Sequence, residues 1–206
     1  MSNIKVRTTS LSDSLSIAQI HKECFKNHYL GKFSVKTIEL FYKEFLKNPD
    51  IIFINCCDEN NDIIGFVMGG ESSIIQDISK RYILSNKLYL TFQILLTPSN
   101  WSSSFKKIKL FFTSNNKKKI NLQHCDSFRL LSIAITRNFQ GKGISTLLID
   151  AFESKLRKRD IQSYGLSVRT ENIRAIGFYK KMGFIKTGES QNSIQLSKDI
   201  TNLHFD

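Results

Sequence analysis

The sequence predicts a single mixed α/β domain, in which a mixed central sheet is flanked by helices and a helical insertion precedes the central strand. Its 206 residues are the length of one domain. Hydrophobic residues make up 41% and charged residues 23%, which is enough for a packed core and excludes wholesale disorder. Strand-like and helix-like patterns alternate along the chain. We therefore assign residues 1–206 to one domain, with the insertion at residues 72–119.

The N-terminal part begins with a short strand that two helices and a hairpin follow. The predicted bounds are residues 4–8 (strand), 13–25 (helix), 35–46 (helix), 51–56 (strand) and 63–69 (strand). Asp13 is predicted to cap the first helix, because a short carboxylate accepts hydrogen bonds from free backbone N–H groups. The apolar residues expected on one face of that helix are Leu15, Ile17, Ile20 and Cys24.

The insertion at residues 72–119 contains clustered apolar side chains with a break near Pro98, a pattern that predicts two or three amphipathic helices. Our first interpretation is a helical pack that extends the core or forms a dimer interface. Two other hypotheses stay open: a lid over a substrate site, and a basic amphipathic surface that contacts a membrane.

The C-terminal part carries the clearest pattern. A nearly continuous apolar run predicts a central strand at residues 129–136 that is buried on both faces. A helix follows, with apolar residues at helical spacing: Ile144, Leu147, Leu148, Ala151, Phe152 and Leu156. The remaining predicted elements are a strand at 164–169, a helix at 172–182 that Gly183 ends, and strands at 184–188 and 193–196.

The net charge of +12 is concentrated in the second half. Residues 1–100 carry 11 Lys/Arg and 10 Asp/Glu, whereas residues 101–206 carry 19 and 8. This asymmetry predicts an anionic partner for the second half. No nucleic-acid recognition motif accompanies the charge, so a nucleic-acid partner is not favoured.

The cysteines and the apolar stretches indicate a reduced, cytoplasmic protein. Cys24, Cys56, Cys57 and Cys125 form no C-x-x-C pair, so we expect neither a metal site nor a disulfide framework. The longest apolar-rich stretch, residues 88–96, is shorter than the roughly 20 residues that cross a bilayer.

The motif most indicative of function lies at residues 133–145, where a strand, a glycine turn and the start of a helix follow one another. Gly141 and Gly143 allow positive φ and close approach of the backbone to a ligand, and the free N–H groups of the next helix attract phosphates. A Walker A loop does not fit, because Thr136 stands where its first glycine should be. A dinucleotide fingerprint does not fit either, because Thr146 replaces its third glycine.

Residues 140–145, Gln-Gly-Lys-Gly-Ile-Ser, resemble the pyrophosphate-binding motif Q/R-x-x-G-x-G/A of the GCN5-related N-acetyltransferases (GNAT). Residues 166–184 resemble that family's second signature, L-x-V-x-x-x-N-x-x-A-x-x-x-Y-x-x-x-G-F. The resemblance covers about residues 128–188. It implies the GNAT (acyl-CoA N-acyltransferase) fold, and acetyl-CoA as the donor in direct transfer to an amine.

The resemblance also implies a role for each matched residue. The backbone of Ile133 and Ile135 would pair with the pantetheine arm, Asn172 would contact the same arm, and Tyr179 would protonate the leaving thiolate. The residues implied at the pyrophosphate, mainly through their backbone amides, are Gln140, Gly141, Lys142, Gly143, Ile144 and Ser145.

Three departures from the family pattern matter. Ser145 replaces a Gly or Ala, and Arg137 replaces a proline that often precedes the turn. The two positions at which other members carry a glutamate base are Arg129 and Ser167 here. His124, Asp126 and Glu23 are the candidate bases by chemistry, and a chain of water molecules is the alternative.

The missing glutamates and the large insertion favour a small-molecule primary amine, such as an amino sugar, as the acceptor. A protein N-terminus or lysine is the alternative acceptor, and a CoA-binding module without catalysis is the alternative function. We expect a monomer or a homodimer.

Overall fold

A computed structural model describes residues 4–26, 28–87 and 127–201. These residues form one seven-stranded sheet with helices on both faces. The strands are β1 (Lys5–Thr8), β2 (Ile52–Cys57), β3 (Ile63–Glu71), β4 (Phe128–Ile135), β5 (Ser163–Arg169), β6 (Ile185–Ser190) and β7 (Ser193–Asp199). The α-helices are α1 (Ser14–Cys24), α2 (Val35–Leu46), α3 (Ser72–Ser85), α4 (Ile144–Arg157) and α5 (Ile173–Lys181).

The sheet has the strand order β1-β2-β3-β4-β5-β7-β6. Neighbouring strands are antiparallel except for β4 and β5, which are parallel. Parallel neighbours need a long crossover connection, and α4 supplies it. The predicted mixed sheet with flanking helices is therefore confirmed.

Two apolar clusters pack against opposite faces of the sheet. One joins α1, α2 and α3 to one face and includes Ile17, Phe45 and Phe66. The other joins α4 and α5 to the opposite face and includes Leu148 and Phe152. Within the described ranges, no helix is long and apolar enough to cross a membrane.

The start of the predicted insertion is the helix α3, whose Tyr82 hydroxyl donates to the Thr37 carbonyl of α2 at 2.9 Å. Residues 88–119 of the insertion, including the break near Pro98, lie outside the described residues. The number of helices in the insertion therefore stays a prediction.

Two details of α1 differ from the expectation. Asp13 stands at the N-cap position, but its carboxylate accepts from the Arg7 guanidinium and from the Ser10 backbone N–H instead of from the helix. Leu15 is 49% exposed, whereas Ile17 and Ile20 are buried. Two residues along a helix are about 200° apart, so Leu15 and Ile17 point to opposite sides.

The apolar run predicted a central strand that is buried along its whole length. The structure shows that part of the strand is exposed. Met68 of β3 pairs with Ser132 and Gly69 pairs with Leu130, so Leu131 is an extra residue on β4. Such a β-bulge interrupts the alternation of faces. Leu131 is 42% exposed as a result, and Ser132 faces α2 although Leu130 packs on the α4 side.

Candidate active site

The parallel strands β4 and β5 separate almost as soon as they meet. Within these two described strands, the register contains the single pair Arg129–Gly165. In open α/β sheets, ligands bind where strands separate at their carboxyl ends. Here a cleft of about 880 Å³ opens between the strands and extends to α1, α2 and α5.

The glycine turn lies at one end of this cleft. Gly141 has φ +80° and Gly143 has φ +79°, and a Cβ added at either position would meet nothing within 4 Å. The glycines are therefore required by backbone conformation and not by lack of space. Gly143 is also the N-cap of α4, so the free N–H groups of the first helical turn lie at the same end.

The structure gathers most of the site residues predicted from the sequence around this cleft. Those that line it are Ile133, Ile135, Gln140, Gly141, Gly143, Ser145, Asn172 and Tyr179. The side chains of Lys142 and Ile144 do not: the Lys142 ammonium lies 5.0 Å from the centre of the Phe139 ring, and Ile144 is buried in the core. For both residues the predicted role involves only the backbone amide.

Gln140 links the turn to both walls of the cleft. Its amide nitrogen donates to the Ile135 carbonyl at 3.0 Å, and its amide oxygen accepts from the Arg174 guanidinium at 3.2 Å. The Cys24 thiol donates to the same Ile135 carbonyl at 3.2 Å. The carbonyl at the end of β4 is thus already engaged by two side chains.

Asn172 and Tyr179 come from the start and from the last turns of α5. The Asn172 side chain accepts from the Ala175 backbone N–H at 3.1 Å, so it caps the helix while it faces the cleft. Tyr179 is only 6% exposed and packs edge-on against Phe184. Burial raises the pKa of Tyr179, so its hydroxyl stays protonated and can donate a proton or a hydrogen bond.

The opposite wall contains a polar chain that sequence reasoning missed. His21 Nδ1 and the Tyr42 hydroxyl are 2.7 Å apart, and the Tyr42 hydroxyl lies 3.4 Å from Ser132 Oγ. Burial lowers the pKa of His21 to about 4, so the ring is neutral at physiological pH. Among the described residues, His21 Nε2 is one of the few buried polar atoms without a hydrogen-bond partner.

The structure gives little support to the three bases predicted from the sequence. His124 and Asp126 lie outside the described residues. Glu23 sits near Arg137, with its carboxylate 3.8 Å from Arg137 Nε. In the described part of the chain, no group of three or more His, Cys, Asp or Glu side chains could hold a metal ion.

Comparisons with known proteins agree with this geometry. The model of the acetyltransferase (GNAT) family matches residues 107–184. No curated protein sequence matches the chain.

Several solved structures share the fold at low sequence identity. The PaiA N-acetyltransferase from Thermoplasma acidophilum, in complex with coenzyme A, has a TM-score of 0.60 and 17% identity over 96% of this chain and 99% of that one. The ribosomal-protein-S18-alanine N-acetyltransferase from Escherichia coli has a TM-score of 0.58 and 15% identity over 98% and 99%. A spermidine N-acetyltransferase chimera from Vibrio cholerae and hSSAT has a TM-score of 0.59 and 16% identity over 96% of both chains.

These likenesses establish the fold, while the family match covers the glycine turn and the second signature. The parallel pair that opens at its carboxyl end places those two motifs on the two sides of one cleft. Residues 107–184, which contain both motifs, match the acetyltransferase (GNAT) family.

Proposed function

We propose that this acetyltransferase transfers an acetyl group from acetyl-CoA to the primary amine of a small molecule, by direct attack in a ternary complex. The main support for the proposal is the cleft between β4 and β5, which connects the glycine turn at one end with a polar wall at the other. A linear donor and a separate acceptor can meet within it.

The donor would occupy the turn and the open edge of β4. Backbone N–H groups of residues 141–145 would hold the pyrophosphate, since positive-φ glycines and a helix N-terminus favour anions. Beyond Arg129, β4 has no partner in β5, so the backbone of Ile133 and the N–H of Ile135 can pair with the pantetheine as an added strand would. The Ile135 carbonyl would first have to exchange one of its two present donors. Asn172 would contact the same arm.

The chemistry needs a neutral amine, polarisation of the thioester carbonyl and a proton for the departing sulfur. The amine nitrogen bonds to the acetyl carbon, the C–S bond breaks, and Tyr179 donates its proton to the thiolate. The nitrogen then gives up a proton to water, and Tyr179 regains one from solvent, so the products are the amide and free CoA thiol. A thiol has a pKa near 8.5, so the departing thiolate is basic. It leaves more easily when Tyr179 protonates it. The Ser132 hydroxyl, which lines the cleft and lies 3.4 Å from the Tyr42 hydroxyl, would accept a hydrogen bond from the attacking amine.

Free-thiol release from acetyl-CoA tests the proposal. We expect release with at least one small amine, in equal amount to the acetylated product, and slower release with peptides that offer an N-terminus or a lysine. Faster turnover of the peptides would favour a protein acceptor. Binding of CoA without thiol release from any amine or peptide would favour a non-catalytic CoA-binding module.

A further inference from the structure

The charged side chains that line the cleft are all basic. They are Arg169 of β5 and Arg174 of α5, and none of the lining residues in the described part of the chain is Asp or Glu. The sequence outside the described residues contains two acidic residues, Asp126 and Asp206. The cleft is therefore poorly suited to an acceptor with several positive charges, which would need carboxylates to replace its hydration.

Two carboxylates that are next to cleft-lining residues along the chain already face arginines. Glu23 lies beside Arg137, and Glu171 accepts from the Arg169 guanidinium at 2.8 Å. Glu171 is 73% exposed, and an ion pair so open to water is weak. The Glu171 carboxylate is therefore a weak competitor for an anionic group of a ligand beside Arg169.

The sheet surface beside Arg169 is also rich in donors. Leu166 and Val168 pack on the α4 side, so strand alternation places Ser167 and Arg169 on the opposite face. There the Arg129 guanidinium donates to the Gln195 amide oxygen at 3.0 Å, and the Gln195 amide nitrogen donates to Ser167 Oγ at 3.2 Å. The two positions that carry a glutamate in other members are thus joined here through Gln195, and one of them supplies a cation.

Apolar side chains also line the cleft. Phe25, Leu30 and Phe41 come from the α1 and α2 side, and Leu131 comes from the bulge of β4. The acceptor end therefore combines an apolar wall with a guanidinium. This combination suits a small molecule with one anionic group on a largely uncharged body.

We propose that the acceptor is a small amine that also carries an anionic group, a carboxylate or a phosphate, and that Arg169 binds this group. The inference rests on the proposed function and names the substrate class of the same site. A basic acceptor end also has a chemical advantage: nearby positive charge lowers the pKa of the substrate ammonium and favours the neutral amine that attacks. It thereby reduces the need for a carboxylate base.

Matched pairs of amines test the proposal and distinguish the two anions. Phenylalanine and phenethylamine differ by the carboxylate, glucosamine 6-phosphate and glucosamine differ by the phosphate, and spermidine represents polycations. We expect the anionic member of at least one pair to have a kcat/KM at least about 10-fold above its partner, as a hydrogen bond to a charged group would give. The favoured pair identifies the anion.

The variant Arg169→Gln should abolish that preference and leave the KM for acetyl-CoA unchanged. The control Arg174→Gln, which removes the other arginine of the cleft, should raise the KM for acetyl-CoA and retain the preference. Equal or better use of the uncharged members in both pairs, a preference that survives in Arg169→Gln, or spermidine as the best acceptor would overturn the proposal.

A binding measurement separates this inference from the proposed function. In the CoA-saturated protein, the anionic member of the favoured pair should raise the melting temperature more than its partner does, and Arg169→Gln should remove the difference. Thiol release without any anionic preference would reject this inference alone. Absence of thiol release with every amine would reject the proposed function, and the melting temperatures would then decide the inference by themselves.

Discussion

Tyr179 and Tyr164 are both buried tyrosines, but only Tyr179 lines the cleft. We expect Tyr179→Phe to lower kcat by about 100-fold, because the thiolate would leave without a proton donor. The KM for acetyl-CoA should change little, since the hydroxyl acts in the chemical step. Steady-state kinetics with the preferred amine measure both quantities.

The matched control is Tyr164→Phe. The Tyr164 hydroxyl donates to the Glu153 carboxylate at 2.7 Å in the core, away from the cleft. Its removal should lower the free energy of unfolding by about 1–2 kcal/mol and leave kcat unchanged. Full activity of Tyr179→Phe would remove Tyr179 from the mechanism.

His21 makes the stability of the protein depend on pH. Its folded pKa is about 4 against an ordinary value of 6.5, because burial disfavours the charged ring. Between these two pH values the unfolded chain binds a proton that the folded chain does not bind. The free energy of unfolding therefore falls as the pH falls through this window, and the contribution of His21 is fully present only above it.

Urea unfolding of the wild type and His21→Gln measures this effect. Between about pH 7.5 and about pH 5, the wild type should lose about 2 kcal/mol more than the variant. Burial and the positive charge of Arg169 also lower the pKa of His28, so some pH dependence should persist in the variant. An equal loss in both proteins would mean that His21 is not held neutral by the fold.

At the scale of elements, two glycines show whether backbone conformation or lack of space is the reason for glycine in the turn before α4. A Cβ at Gly143 or at Gly177 would meet nothing within 4 Å, but only Gly143 has a positive φ. We expect Gly143→Ala to lower the free energy of unfolding by about 1 kcal/mol or more and to raise the KM for acetyl-CoA.

Gly177→Ala is the control within α5. Alanine is favoured over glycine in a helix interior, so this variant should gain up to about 1 kcal/mol and retain its KM. Chemical denaturation and steady-state kinetics of the two variants give the comparison. If Gly143→Ala were as stable and as active as Gly177→Ala, the turn would not depend on left-handed backbone.

The elements themselves were largely predictable from the sequence, because their signals are local. The bounds of α2 match the prediction, and the glycine turn followed by the periodic helix α4 lies within a short stretch of chain. The residues around the donor end of the cleft were predictable for the same reason, since two short motifs contain them.

The acceptor wall was not predictable. His21, Tyr42 and Ser132 come from α1, α2 and β4, and 90 residues separate Tyr42 from Ser132. Ser132 meets Tyr42 because the bulge at Leu131 changes the face on which the rest of β4 presents its side chains. No sequence pattern predicts either contact, because the residues are far apart along the chain. The exposure of Leu131 was missed for the same reason, because an apolar run does not reveal a bulge.

At the scale of the whole molecule, binding of the donor should appear as added stability. A ligand at about 100 times its Kd stabilises the folded state by about 2.7 kcal/mol. For a domain of this size, we expect CoA to raise the melting temperature by roughly 5–10 °C. Differential scanning fluorimetry with CoA measures the shift.

Inorganic phosphate at the same concentration is the control for general anion binding to a chain of net charge +12. It should give little stabilisation. A shift with phosphate equal to that with CoA would indicate that charge alone accounts for the binding. The Gly143→Ala variant should show a smaller shift with CoA than the wild type.

The single pair between β4 and β5 also divides the sheet into two blocks, β1 to β4 and β5 to β7. The chain passes between the blocks once, through the connection that contains α4. The described contacts that join the blocks include the packing of α4, that one pair and the hydrogen bond from Arg129 to Gln195. A donor bound in the gap supplies the hydrogen bonds of a missing strand and completes the sheet. Amide exchange should therefore slow across both blocks together in the loaded protein, whereas in the free protein the two blocks should open separately.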